Sequence, residues 1–313
     1  MRKVYITGIA GFIGFHTAKK LSDEGYEVSG VDNFNSYYDS DLKRDRAKIL
    51  ENDYDIYIEY CDLRDVSLDR HYAVIHLAAY AGVRHSLENP QTYIDNNITG
   101  TQTILTQCER LNMPVVYASS SSVMQGQITP WTEVAPIFGQ LSNPYSWSKY
   151  VNECQFASSK IVSAGLRFFT VYGPYGRPDM ALQSFADSIT KDEAIDIYNN
   201  GDMQRDFTYV DDIVQGIQLV LENLLSQDNQ HEIYNIGSGK KNELMDYIGC
   251  LESELGKVAT KNYLPMHPAD AKSTQANISK IQKLGYEPST NIEDGIKLFV
   301  NWYKKYYVQS TKL

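Results

Sequence analysis

Gly8-Ile9-Ala10-Gly11-Phe12-Ile13-Gly14 follows the apolar run Val4–Thr7 and leads into a stretch with helical spacing, Ile13–Glu24. A strand that ends in G-x-x-G-x-x-G and opens a helix can turn tightly and bring its backbone against a pyrophosphate. The helix start then offers free N–H groups and the positive end of its dipole. Strand before and helix after are the context that gives the glycines meaning. Gly8, Gly11 and Gly14 with Phe12 and Ile13 are therefore candidate cofactor-binding residues. A second apolar run, Glu27–Val31, ends at Asp32, near the spacing expected for an acid on the adenosine ribose. A carboxylate there accepts from the ribose hydroxyls and repels a 2′-phosphate, so NAD is expected rather than NADP.

Outward from this start, strands are expected at Tyr57–Tyr60, Ala73–Leu77, Val115–Ser119 and Leu166–Thr170. Helices are expected at Tyr93–Leu111 and Ser146–Ser163. Alternation of this kind predicts an α/β fold with a doubly wound parallel sheet covered on both faces. After Gly173 the rhythm changes to the turn-rich Gly173-Pro174-Tyr175-Gly176-Arg177-Pro178. A cofactor-binding domain over 1–172 is expected, with the chain returning to it at about 205–238 through Phe207–Leu225 and Glu232–Ile236. A smaller C-terminal lobe is expected over 173–313.

Composition narrows the function classes. The net charge of −10 opposes non-specific nucleic-acid binding, yet leaves room for a local cationic site inside a cleft. No window holds the roughly 20 apolar residues of a membrane span, and the start has no secretory h-region, so a cytoplasmic protein is expected. Cys61, Cys108, Cys154 and Cys250 are scattered, without a C-x-x-C pair. Reduced, partly buried thiols are expected, with no disulfide framework and no metal site.

Tyr145-Ser146-Trp147-Ser148-Lys149 sets a tyrosine and a lysine at i and i+4, on one face of a helix. An ammonium beside a phenol favours the phenolate, which makes tyrosine usable as a general base. Ser119-Ser120-Ser121-Ser122 follows a strand, at the end where doubly wound folds place their ligands. Two further strand ends supply candidate cofactor contacts. Asp62 and Leu63 sit where adenine would pack, and Ala78 and Ala79 are small enough for close approach; ordinary core packing explains both pairs equally well.

Taken in order, these motifs resemble the extended short-chain dehydrogenase/reductases that modify nucleotide sugars. The chain is most similar to the UDP-glucuronate 4-epimerase family. The resemblance rests on three blocks: Ala78 to Pro90, reading AAYAGVRHSLENP; Leu166 to Ala181, reading LRFFTVYGPYGRPDMA; and Arg205 to Asp212, reading RDFTYVDD. It implies Ser120 as the hydroxyl that bonds the sugar, Tyr145 as base and Lys149 as its partner. It implies a carboxylate pocket of Ser121, Ser122, Thr170 and Arg177, and substrate contacts from Arg84, Arg205 and Asp270. Arg205 would take the diphosphate and Asp270 the nucleoside ribose. It also implies retained NAD, a UDP-sugar substrate, a homodimer paired through the helices 93–111 and 146–163, and a role in polysaccharide biosynthesis.

Departures from the family pattern matter. Ser121 and Ser122 stand where dehydrating relatives carry acids, and decarboxylating relatives usually carry glutamate at Ser122. A lyase acting on the same sugar is therefore the lesser expectation. A silent NAD-binding scaffold is opposed by the intact Ser120, Tyr145 and Lys149. The turn Ser122-Val123-Met124-Gln125-Gly126 and the stretch to Leu141 match poorly, leaving Met124, Trp131 and Phe138 open as pocket-shaping or core residues. Val66–Tyr72 is short and expected to lack a helix, and Ser158–Gly165 is also shortened.

Overall fold

The computed structural model describes residues 2–69, 71–134, 141–226, 230–267 and 270–309. Its centre is a seven-stranded parallel sheet. The strands are β1 (Lys3–Thr7), β2 (Glu27–Asp32), β3 (Tyr57–Tyr60), β4 (Ala73–His76), β5 (Val115–Ser120), β6 (Ser163–Phe168) and the strand His231–Ile236. From one edge the order is His231–Ile236, β6, β5, β4, β1, β2, β3. The chain walks outward from β1 to β3, then crosses back to lay β4 on the other side of β1. That reversal opens a crevice at the carboxyl ends of β1 and β4. Register sets Thr7 opposite both Val31 and His76, so these strands end together.

The inner strands are largely buried because helices cover both faces of the sheet. β4 and β6 are buried along their whole length, and β1 from Val4 onward. Alternate residues of β1 enter opposite layers: Val4 and Ile6 join Phe15 and Val214, while Tyr5 joins Leu105 and Phe156. Each such fully buried side chain is worth about 1.5–3 kcal/mol. The helix α1 (Phe12–Asp23) starts directly at Gly11 and buries Phe15, Ala18 and Leu21.

Several elements differ from expectation. A helix not foreseen, α2 (Ser40–Tyr54), follows β2 and is capped by the Asp39 side chain on the Asp41 N–H. The helix expected to run to Ser163 spans Pro144–Ala157. It stops because Ser158 and Ser159 turn their hydroxyls back onto the Gln155 and Phe156 carbonyls, and β6 takes over at Ser163. The strand expected over Leu166–Thr170 is two strands. β6 ends at Phe168, the Phe169 N–H bonds Ile236 O, and Thr170–Tyr172 pairs instead with Phe207–Tyr209. The expected helix at 93–111 begins earlier, at Pro90–Tyr93, passes through a π-helical stretch Ile94–Gly100 and continues as Thr101–Leu111.

Among the described residues of 66–72 no helix forms. Val66 and Leu68 instead pack against the layer containing Leu105. Met124 and Trp131 are core residues, packed with Val123, Phe169 and Ala276; Phe138 lies outside the described residues. All four cysteines are free, and Cys154 is exposed rather than part-buried because it sits on the outer face of its helix. Among the described residues no helix is long and apolar enough to cross a membrane. Nor, among them, do three or more His, Cys, Asp or Glu gather in a way that would hold a metal ion.

Candidate active site

The carboxyl ends of β1, β2, β4 and β5 open on a cavity of about 410 Å³. One end is built by the glycine run. Gly8 holds φ +70°, and a Cβ there would stand 2.8 Å from the Ala78 amide nitrogen. A Cβ on Gly14 would meet Gly8 O at 2.2 Å. Only glycine permits this packing of turn, helix and neighbouring strand. No side chain caps α1, so its leading N–H groups are left for a ligand, and Phe12 and Ile13 line the cavity beside them.

Asp32 closes β2 at the same end. It is buried, and its two oxygens accept from the Ala10 N–H at 3.2 Å and the Phe34 N–H at 2.9 Å. Burial pushes its carboxyl up, against those hydrogen bonds and the charges of Lys43 and Arg46. Leu63, Ala78 and Ala79 also face the cavity. Asp62 does not: its carboxylate is held bidentately by Arg64, at 2.7 and 2.9 Å, just behind the wall. A cradle that excludes every side chain, an uncapped helix start and a buried carboxylate fit the pyrophosphate and ribose of a dinucleotide.

The Tyr/Lys pair rises from the helix Pro144–Ala157, whose start is fixed by the Asn143 side chain accepting from the Ser146 N–H at 2.9 Å. Tyr145 is hydrogen-bonded to Ser120, and both reach the cavity. Here the chain departs from the simple expectation of an acidified phenol. Burial pushes Tyr145 up, while the Ser120 bond and the nearby Arg177 charge pull against it. Lys149 is itself buried and brought down to about 8, and its Nζ donates to Ala118 O at 3.0 Å. Ser122 Oγ donates to Ser120 Oγ at 2.9 Å, which links these two hydroxyls of the serine run.

Ser121, Ser122, Thr170 and Arg177 line the same cavity. Arg177 is not free: Asp179 takes its Nε at 3.0 Å and its Nη2 at 2.5 Å. Arg84, Arg205 and Asp270 fall outside the cavity wall. Arg84 donates to Asp270 at 2.9 Å and lies 4.1 Å above the Tyr198 ring. Arg205 gives Nη1 to the carbonyls of Gln204 and Lys272.

Sequence reading missed the loop after Asp32 and the first turn of α2. Asn33, Asn35, Tyr37, Tyr38 and Lys43 all reach the cavity. Lys43 is buried, which lowers it to about 8, and donates to the Asn35 carbonyl at 2.8 Å and its side-chain oxygen at 2.9 Å. The signal was present, because residues just beyond Asp32, at the carboxyl end of β2, border the crevice. Arg46, wholly buried, fastens this side of the site. It donates to Ala10 O at 3.0 Å and Tyr175 O at 2.7 Å, joining the glycine turn to the loop that carries Arg177.

Comparison with known proteins identifies the family. The model of the NAD dependent epimerase/dehydratase family matches residues 4–237. The chain is 40% identical to Protein CapI of Staphylococcus aureus, over 97% of this chain and 99% of that one. It is 40% identical to the UDP-glucuronate 4-epimerase of Thermodesulfobacterium geofontis, over 96% and 95% of the two chains. Among solved structures it resembles the UDP-glucuronic acid 4-epimerase of Bacillus cereus in complex with UDP-glucuronic acid and NAD. That match has a TM-score of 0.90 at 33% identity, covering 97% of this chain and all of the other.

Proposed function

The chain belongs to the NAD dependent epimerase/dehydratase family, and from that footing we infer an NAD-dependent epimerase that inverts carbon 4 of UDP-glucuronate, interconverting it with UDP-galacturonate through a 4-keto intermediate. The observation that carries this reading is one cavity that unites the glycine cradle, the Ser120–Tyr145 pair with Lys149, and Arg177 with three hydroxyls. Among the described residues the only carboxylate in its wall is Asp32. No acid therefore stands beside Ser120 to protonate a leaving hydroxyl, which favours epimerisation over dehydration.

We propose the roles as follows. Gly8, Gly11 and Gly14, with the N–H groups of Phe12 and Ile13, hold the pyrophosphate; Asp32 accepts from the ribose hydroxyls; Leu63, Ala78 and Ala79 pack along the cofactor, with Asp62 behind them. NAD held there would supply reversible two-electron oxidation at carbon 4. Ser120 holds the 4-hydroxyl, and the phenolic oxygen of Tyr145 takes its proton and later returns it. Lys149, kept in place by the Ala118 carbonyl, supplies the positive charge that favours the phenolate. Arg177, Ser121, Ser122 and Thr170 hold the C5 carboxylate near the ring plane, where its bond to the ring overlaps poorly with the C4 carbonyl. Arg84, Arg205 and Asp270 receive the UDP portion.

In this reading residues 1–172, with 205–238, hold the cofactor, and 173–313 hold the sugar nucleotide. The protein acts as a cytoplasmic homodimer that supplies polysaccharide biosynthesis. Denaturing the purified protein and assaying the released nucleotide tests the closed redox cycle: NAD(H) is expected, and NADP contradicts it. Light scattering that gives a monomer at micromolar concentration contradicts the dimer.

A further inference from the structure

Arg177 reaches the cavity with its guanidinium already committed along one edge. Nε and Nη2 both belong to the Asp179 carboxylate, at 3.0 and 2.5 Å. A second residue holds that carboxylate from the opposite lobe. Tyr37, on the loop after β2, donates its hydroxyl to Asp179 Oδ2 at 3.0 Å, and the Arg177 guanidinium lies 5.6 Å from the Tyr37 ring centre. Tyr37 in turn is fixed by the backbone opposite it: its hydroxyl sits where a Cβ on Gly82 would be, 2.1 Å away. The planar fork of arginine can therefore present only the Nη1 side to the sugar, at a set angle.

We propose that Asp179, braced by Tyr37, is a positioning residue that sets product fidelity: it aims Arg177 so that the sugar carboxylate is held out of alignment for loss of carbon dioxide. Asp179 touches neither sugar nor cofactor in this scheme. The inference rests on the uronate reading of the site. In the 4-keto intermediate the carboxylate is β to a carbonyl. If it swings perpendicular to the ring, the C5–C6 bond breaks, its electron pair enters the C4 carbonyl as an enolate, carbon dioxide departs and a proton adds at C5. The product is a UDP-4-keto-pentose, and the cofactor stays reduced unless that ketone is reduced in turn. Asp179 also offsets the positive charge of Arg177 at this point. Without it Arg177 attracts a carboxylate at least as strongly but holds it at no fixed angle.

The test compares Asp179→Asn and Tyr37→Phe with the parent protein on UDP-glucuronate, reading the ratio of pentose products to C4 epimer. A ratio taken within one reaction is insensitive to the fraction of folded enzyme. Calorimetric affinity for UDP-glucuronate and UDP-glucose is read alongside. For Asp179→Asn the pentose share rises at least tenfold while the preference for UDP-glucuronate over UDP-glucose is kept or increased. For Tyr37→Phe the ratio moves the same way by a smaller factor. An unchanged product ratio in Asp179→Asn overturns the proposal, as does equal weakening of both ligands, which marks a collapsed pocket. Failure of the parent protein to epimerise UDP-glucuronate strikes the uronate reading instead.

Discussion

Glu153 and Arg167 form a bidentate ion pair in the interior, Nε to Oε1 and Nη2 to Oε2, both at 2.8 Å. The two side chains are 6% and 2% exposed. Ser119 Oγ donates to the same Glu153 Oε1 at 2.5 Å, and Arg167 Nη1 donates to Val134 O at 3.1 Å. Glu153 lies two turns beyond Tyr145 on one helix, and Ser119 directly precedes Ser120. The pair therefore fixes the helix that carries Tyr145 against the strand end that carries Ser120.

Removing one member leaves the other charged and buried. Glu153→Ala is expected to cost about 3–5 kcal/mol in urea unfolding, and to lower kcat more than it raises KM. Glu153→Met combined with Arg167→Met is expected to recover most of the stability, because no lone charge remains. Recovery of kcat should lag behind, since Ser119 loses its acceptor. A single variant that costs less than about 1 kcal/mol contradicts the role given to this pair.

Lys149 makes a signed prediction about pH. Burial lowers it in the folded chain to about 8 from an ordinary 10.5. Below pH 8 folded and unfolded chains both hold the proton, and the cost of burying the ammonium is present in full. Between pH 8 and 10.5 the folded chain releases its proton first, the unfolded chain binds more, and stability rises with pH. Lys43, also near 8, contributes in the same window. The contribution of Lys149 is therefore the difference between the parent and Lys149→Met, both freed of nucleotide and unfolded in urea from pH 7 to 10.5. The gain in the parent should exceed that in the variant; equal slopes contradict the burial argument.

Arg177→Ala should do two separable things. UDP-glucuronate binding should weaken by about 1.5–3 kcal/mol, the scale of a hydrogen bond to a charged group. The 4-keto intermediate should also lose carbon dioxide, giving pentose and retained reduced cofactor. Tyr145→Phe should abolish oxidation, and with it both products. Clean epimerisation of a uronate by Arg177→Ala at the parent rate shows that the carboxylate pocket is misassigned. The search then moves to neutral hexoses and N-acetylhexosamines.

The glycine run, Asp32 and the Tyr/Lys pair were legible because each is a local pattern whose meaning depends on a few neighbouring residues. Helix α2 was not, for a physical reason. Its buried face is Leu42, Lys43, Arg46, Ala47 and Leu50, which has helical spacing. Two of those five are cations that reach backbone carbonyls, so an apolar periodicity never shows. The break after Phe168 was hidden for another reason. Leu166 to Tyr172 holds no glycine, proline or other turn residue to mark a break, and only pairing with Ile236 on one side and Phe207 to Tyr209 on the other decides where one sheet ends. The pairing of Asp62 with Arg64, two residues on, was not foreseen, because neither residue stands in a pattern that marks an ion pair.

The central claim is a closed redox cycle at carbon 4 of a uronate, and one incubation tests it most directly. The protein as purified is mixed with UDP-glucuronate without added NAD, and the sugar nucleotides are separated over time. The account predicts UDP-galacturonate rising to a constant ratio with UDP-glucuronate, pentose at no more than a trace, and no net accumulation of reduced cofactor. A UDP-pentose as the main product, or no conversion by protein that carries NAD, would contradict it.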